Sequence, residues 1–65
     1  MRLTINGQDR EVSADTLTSL LAELEYEGAW LVTAVNSEMV RATDRPACQL
    51  KDGDRIEIMS PRQGG

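Results

Sequence analysis

The sequence has 65 residues, a single cysteine, no histidine and a formal net charge of −4 from 11 acidic and 7 basic side chains. A chain this short forms one domain that buries only about 60 % of its unfolded surface, with no intrachain disulfide to support it. The missing histidine argues against catalysis by this chain alone and against a metal site, the acidity argues against binding nucleic-acid phosphates, and no apolar run approaches the roughly 18 residues of a membrane span.

Met1-Arg2-Leu3-Thr4-Ile5 alternates apolar and polar residues, the period of a half-buried strand. Asn6-Gly7 is a two-residue hairpin signal, because both residue types accept positive φ. A second strand is predicted from Gln8 to Val12. Ser13-Ala14-Asp15-Thr16 is a helix entry in which Asp15 or Thr16 can cap the first turn. Leu17, Leu20, Leu21 and Leu24 fall at i, i+3, i+4 and i+7, so a helix over Leu17–Glu25 carries one apolar stripe. In so short a chain that stripe is read as core. Glu23, Glu25 and Glu27 lie at the negative end of the helix dipole and are read as solubility or interface residues. Gly28 is expected to end the helix in the left-handed region.

Leu31–Val35 is β-rich and apolar, suited to an interior strand. Asn36-Ser37-Glu38 is a turn, and Met39-Val40-Arg41 is a short strand. Ala42–Cys48 is a loop or a single helical turn. Leu50-Lys51-Asp52-Gly53-Asp54 is a tight turn, and Arg55–Met59 alternates again, with Ile56 and Ile58 on one face. The expected core is Leu3, Ile5, Leu17, Leu20, Leu21, Leu24, Val35, Leu50, Ile56 and Ile58. Trp30 is read as a core-edge residue, with a docking anchor as the alternative. Cys48 is read as a small apolar filler in a reducing compartment, so the expected setting is cytoplasmic. The acidity is read as solubility, with docking onto a basic partner surface as the sharper possibility.

The order β, β, α, β, β, β predicts an α+β fold with one helix on one face of a mixed sheet of four or five strands. The two terminal strands are expected to be adjacent and parallel. The expected organisation is a domain over residues 1–59 and a flexible C-terminal tail over 60–65, Ser60-Pro61-Arg62-Gln63-Gly64-Gly65. The glycine pair offers no side chain and packs against nothing. It presents a bare backbone, thin enough to thread a narrow channel. Six extended residues span about 20 Å, enough to reach a buried active site in another protein.

The hairpin, the leucine-striped helix, the Asp52-Gly53-Asp54 turn, the Ile56-x-Ile58 strand and the final Gly64-Gly65 together resemble a β-grasp, ubiquitin-like sulfur carrier of the ThiS family of thiamin biosynthesis. Ala34-Val35-Asn36-Ser37-Glu38-Met39-Val40 is similar to that family's central hairpin. The resemblance covers the whole chain, although Ser60-Pro61-Arg62-Gln63 is more polar than the tails of many members. It implies a carrier that is not itself an enzyme. Gly65 would be the modified residue, its carboxylate adenylated by an E1-like (ThiF-like) enzyme using ATP and Mg, with no cofactor bound by this chain. A persulfide sulfur donor would convert the adenylate to a thiocarboxylate, whose sulfur goes to a ThiG-like thiazole synthase. Gly64, Gln63 and Arg62 would thread the partner's channel, Arg62 being a solvated residue or a partner for an acidic group or the adenylate phosphate. The same chemistry also suits the small subunit of molybdopterin synthase, a carrier for cysteine or tRNA thiolation, or a ubiquitin-like modifier. A plain interaction module is the reading outside that chemistry.

Overall fold

Asn6 and Gly7 take φ of +50° and +84°, the left-handed pair that a two-residue hairpin turn requires. The turn folds β1 (Arg2–Ile5) antiparallel onto β2 (Gln8–Glu11), with Ile5 opposite Gln8 and Arg2 opposite Glu11. The Val12 N–H donates to the Met1 carbonyl at 2.8 Å, so pairing runs one step past the named strands and Val12 is buried. These contacts come from a computed structural model that describes residues 1–26 and 30–60.

Helix α1 (Leu17–Glu23) starts at Thr16 rather than Asp15. Thr16 Oγ1 accepts the Ser19 N–H at 3.1 Å, and Ser19 Oγ accepts the Thr16 N–H at 3.1 Å. This reciprocal capping box satisfies two otherwise orphaned donors. Leu17, Leu20 and Leu21 are buried as the stripe predicts. The helix nevertheless stops two residues before the predicted Glu25. Glu25 itself takes φ +65°, its N–H donates to the Ala22 carbonyl at 3.1 Å, and the Tyr26 N–H donates to the Leu21 carbonyl at 2.9 Å. That pair of bonds is a Schellman closure, normally completed by an apolar contact from the residue after the left-handed one. Here Tyr26 is that residue, and it packs half-buried against the core. Glu25 therefore holds the position expected of Gly28, which lies outside the described residues. Leu24 becomes the cap and is half-buried instead of extending the stripe. Both oxygens of Glu23 accept the Ser13 N–H at 3.1 Å, so this carboxylate ties the helix end to the entry segment.

β3 (Val32–Val35) begins one residue later than predicted, and β4 (Glu38–Val40) is shifted back by one. Asn36 and Ser37 join them through positive φ of +52° and +73°. A 3₁₀ helix, Ala42–Ala47, leads to the turn before β5 (Arg55–Met59). In that turn Gly53 takes φ +91° and donates its N–H to the Arg2 carbonyl at 2.8 Å.

The five strands form one sheet in the order β2-β1-β5-β3-β4. β5 is central, parallel to β1 and antiparallel to β3. Leu3, Ile5, Ile56 and Ile58 share one buried cluster with the helix leucines, joined by Val12, Ala14, Leu31 and Leu50. This is the one-helix, mixed-sheet β-grasp layout expected from the order of elements. Val35, at the end of β3 beside the turn, is only half-buried. Trp30 is 55 % exposed, so it stands outside the core and not at its edge.

Three polar residues are buried with the apolar ones: Thr33, Arg45 and Asp54. Arg45 reaches out of the 3₁₀ helix, donating from Nε to Thr33 Oγ1 at 3.1 Å and from Nη2 to the Leu31 carbonyl at 2.6 Å. Thr33 Oγ1 in turn donates to the Val40 carbonyl at 2.7 Å. The chain of bonds ties the 3₁₀ helix to β3 and β4. Among the described residues no buried side-chain nitrogen or oxygen lacks a partner, as a small core requires.

Candidate functional site

The strand that leads toward residues 60–65 is β5, held in the middle of the sheet by β1 on its parallel side and β3 on its antiparallel side. Its alternation buries Ile56 and Ile58 and exposes Arg55, Glu57 and Met59. Toward β3, Met59 stands opposite Val32 and Glu57 opposite Ala34. Toward β1, the pairing Thr4 with Arg55 and Ile5 with Ile56 ends in an Asn6 N–H donated to the Ile56 carbonyl at 2.9 Å. Beyond that point the backbone of β1 has turned away into the hairpin. The Asn6 side chain replaces it: Oδ1 accepts the Ile58 N–H at 2.9 Å and Nδ2 donates to the Ile58 carbonyl at 3.1 Å.

Asn36 performs the same service at the other end of the strand. Its Oδ1 accepts the Arg55 N–H at 2.9 Å, its backbone N–H donates to the Arg55 carbonyl at 2.7 Å, and its Nδ2 donates to Asp54 Oδ1 at 3.0 Å. Burial alone would raise the pKa of Asp54. The bonds from Asn36 and from the Lys51 N–H (2.8 Å), together with the Lys51 charge, outweigh it and hold the carboxyl below its ordinary value. Asp54 is therefore an ionised brace between the turn before β5 and the β3–β4 turn.

On the sheet face opposite α1, Val32, Ala34, Met39, Glu57 and Met59 line an open groove of about 510 Å³, together with Asn6 and Gly7. Met39 and Met59 are 75 % and 62 % exposed. The groove is thus apolar, adaptable in shape and continuous with the last residues of β5. Sequence reading missed it, because Val32, Ala34, Met39 and Met59 come from three strands. The one available signal was Met39 and Met59 at the outward positions of their strands.

Arg62, Gln63, Gly64 and Gly65 lie outside the described residues, as does most of the predicted tail; Ser60 is its one described member and is half-buried. Cys48 is half-buried. Burial, and next the nearby Asp54 carboxylate, push its thiol pKa upward, so it stays protonated and poorly nucleophilic at neutral pH. Among the described residues no three histidine, cysteine, aspartate or glutamate side chains are grouped as a metal ion would need. No helix there is long and apolar enough to cross a membrane.

The profile of the ThiS family matches residues 3–65. The chain is 31 % identical to a sulfur carrier protein ThiS of Thermus thermophilus, over 94 % of this chain and 95 % of that protein. It is 35 % identical, over its full length, to part of a thiazole synthase of Paramagnetospirillum magneticum, of which it spans only about a fifth (20 %). Its fold superposes on the crystal structure of a ThiS from Geobacter metallireducens with a TM-score of 0.83 at 32 % identity, covering all of both chains. The solution structure of a thiamine biosynthesis protein from the same organism gives 0.82 at 30 % identity, with 100 % of this chain and 88 % of that one covered. A match from the first buried strand residue to the final glycine, with the whole sheet superposed, places the chain in the ThiS family.

Proposed function

We propose that this protein is the sulfur carrier of thiamin biosynthesis and that Gly65 carries the sulfur as a C-terminal thiocarboxylate. The observation that carries this reading is a family match that runs through Gly64-Gly65 to residue 65, supported by a ThiS of nearly the same length. The thiazole synthase relative holds a segment similar to this entire chain. A carrier fused to its recipient would have that architecture, which favours the thiamin pathway over molybdopterin or tRNA thiolation.

The chemistry follows from the terminal group. A C-terminal carboxylate has a pKa of roughly 3.3–3.7, so at neutral pH it is an anion and a poor electrophile. In an E1-like, ThiF-like enzyme its oxygen attacks the α-phosphorus of ATP–Mg, and pyrophosphate leaves. The terminal sulfur of a persulfide donor then attacks the acyl carbon, and AMP leaves. A second thiol cleaves the resulting acyl disulfide, freeing the thiocarboxylate and departing as a disulfide with the donor. Thiazole synthase takes the sulfur from the thiocarboxylate. The chain contributes no catalytic group to these steps: it acts as a co-substrate. Residues 1–59 are the recognition body, and 60–65 the segment that enters the partner, with Arg62, Gln63 and Gly64 in the channel. A cytoplasmic setting suits the single, unreactive thiol.

The test is exchange of labelled pyrophosphate into ATP by the adenylating enzyme. Exchange should require this chain and vanish when Gly65 is deleted. Exchange that persists without Gly65 contradicts the proposal.

A further inference from the structure

The two asparagines that open the hairpin turns are matched in geometry and differ in place. Asn6 and Asn36 both take left-handed φ, +50° and +52°. Asn6 uses both atoms of its side-chain amide as a substitute peptide unit on the β5 backbone, whereas Asn36 uses its Oδ1 on the Arg55 N–H and its Nδ2 on the Asp54 carboxylate. Asn36 acts at Asp54 and Arg55, where the strand begins, and Asn6 acts at Ile58, one residue before the strand ends.

Backbone groups in a strand point alternately to the two neighbours. Ile58 directs its N–H and C=O to the β1 side, where the β1 backbone no longer runs. Without Asn6 those two groups would face water beside the groove that Asn6 helps to line. The last turn of pairing on that side of β5 would then end at Ile56, and the direction in which the chain leaves the sheet would be held by β3 alone. A tail that must place one carboxylate against an ATP phosphorus gains from a fixed point of departure, since a misplacement of about 1 Å can cost on the order of 100-fold in rate.

From this arrangement we infer that Asn6 is a positioning residue for the carrier reaction: its amide fixes the point at which the tail leaves β5 and so orients the terminal carboxylate in the adenylating enzyme. The inference rests on the carrier reading given above. Asn6 touches no reacting atom. It acts through Ile58.

Asn6→Gly keeps the left-handed φ and removes the clamp. Asn36→Gly does the same at the far end of the strand and is the control for lost stability. The measurement is single-turnover adenylation of full-length chain by the ThiF-type enzyme with ATP–Mg, with the enzyme–carrier dissociation constant measured separately. Hydrogen exchange at the Ile58 amide is followed in the free protein. Asn6→Gly should exchange faster at Ile58, bind the enzyme as wild type does, and form adenylate about tenfold more slowly. Asn36→Gly should form adenylate at the wild-type rate. Equal rates for Asn6→Gly and wild type, or an equal fall in both variants, overturn the positioning role alone. A wild-type chain that forms no adenylate overturns the carrier reading and this inference with it.

Discussion

Leu20→Ala tests whether the helix leucines are the structural centre of the domain. Leu20 is 0 % exposed and shares its cluster with Leu3 and Ile5 of β1 and Ile56 and Ile58 of β5. The substitution removes three carbons, and at about 0.8 kcal/mol for each the lost transfer free energy is about 2.4 kcal/mol. Strand side chains on one side and the capped helix on the other restrict collapse of the hole, so the cavity term raises the loss to about 3–4 kcal/mol. At about 0.05–0.15 kcal/mol per residue, a domain of 65 residues has only roughly 3–10 kcal/mol to lose. Urea denaturation followed by far-ultraviolet circular dichroism measures the change. Met39→Ala, at a site 75 % exposed on the opposite sheet face, should cost less than about 0.5 kcal/mol. A Leu20→Ala loss below about 1 kcal/mol, or losses of equal size at the two sites, would refute the assignment of the core.

Glu25→Gly should raise stability by about 0.5–1 kcal/mol in the same denaturation assay, because glycine holds φ +65° without the side-chain clash; a loss would mean that the Glu25 side chain stabilises the closure. Asp54 has a folded pKa below its ordinary value, so its contribution is complete above about 3.9 and is lost as pH falls through the lower folded value. Wild type should therefore lose stability on acidification below about pH 4 more steeply than Asp54→Asn, and parallel acid limbs in thermal melts would contradict the brace. Cys48→Ser should form the thiocarboxylate as wild type does, judged by intact mass, since the thiol is held protonated; failure of a folded variant would move the sulfur chemistry to Cys48.

Much of the fold was legible because its determinants are local. The alternation of Leu3 with Ile5 and of Ile56 with Ile58 announced β1 and β5, Asn6-Gly7 announced the first turn, and Leu17, Leu20 and Leu21 announced the helix face. The helix stop was misread because Tyr26 packing selects Glu25 for the left-handed position, a tertiary preference that no glycine rule contains. Burial of Thr33, Arg45 and Asp54 was invisible for a related reason. The bonds from Arg45 to Thr33 and from Asn36 to Asp54 span 12 and 18 residues, and nothing in Asp44-Arg45-Pro46 says that the arginine turns inward. The side-chain clamp of Asn6 on Ile58 bridges 52 residues, so the sequence showed a good turn residue and hid its second task. The proposed role of Gly64-Gly65 rests on the chemistry of the sequence alone, since both residues lie outside those the structure describes.

The central claim is that sulfur is carried on the carboxylate of Gly65. Intact-mass and fragment-ion spectrometry after incubation with the adenylating enzyme, ATP–Mg and a persulfide donor tests it most directly. The account predicts that one oxygen is replaced by sulfur, located on Gly65 and absent when Gly65 is deleted or followed by a bulky residue. Sulfur found on any other residue, or gained by a chain without Gly65, would contradict it.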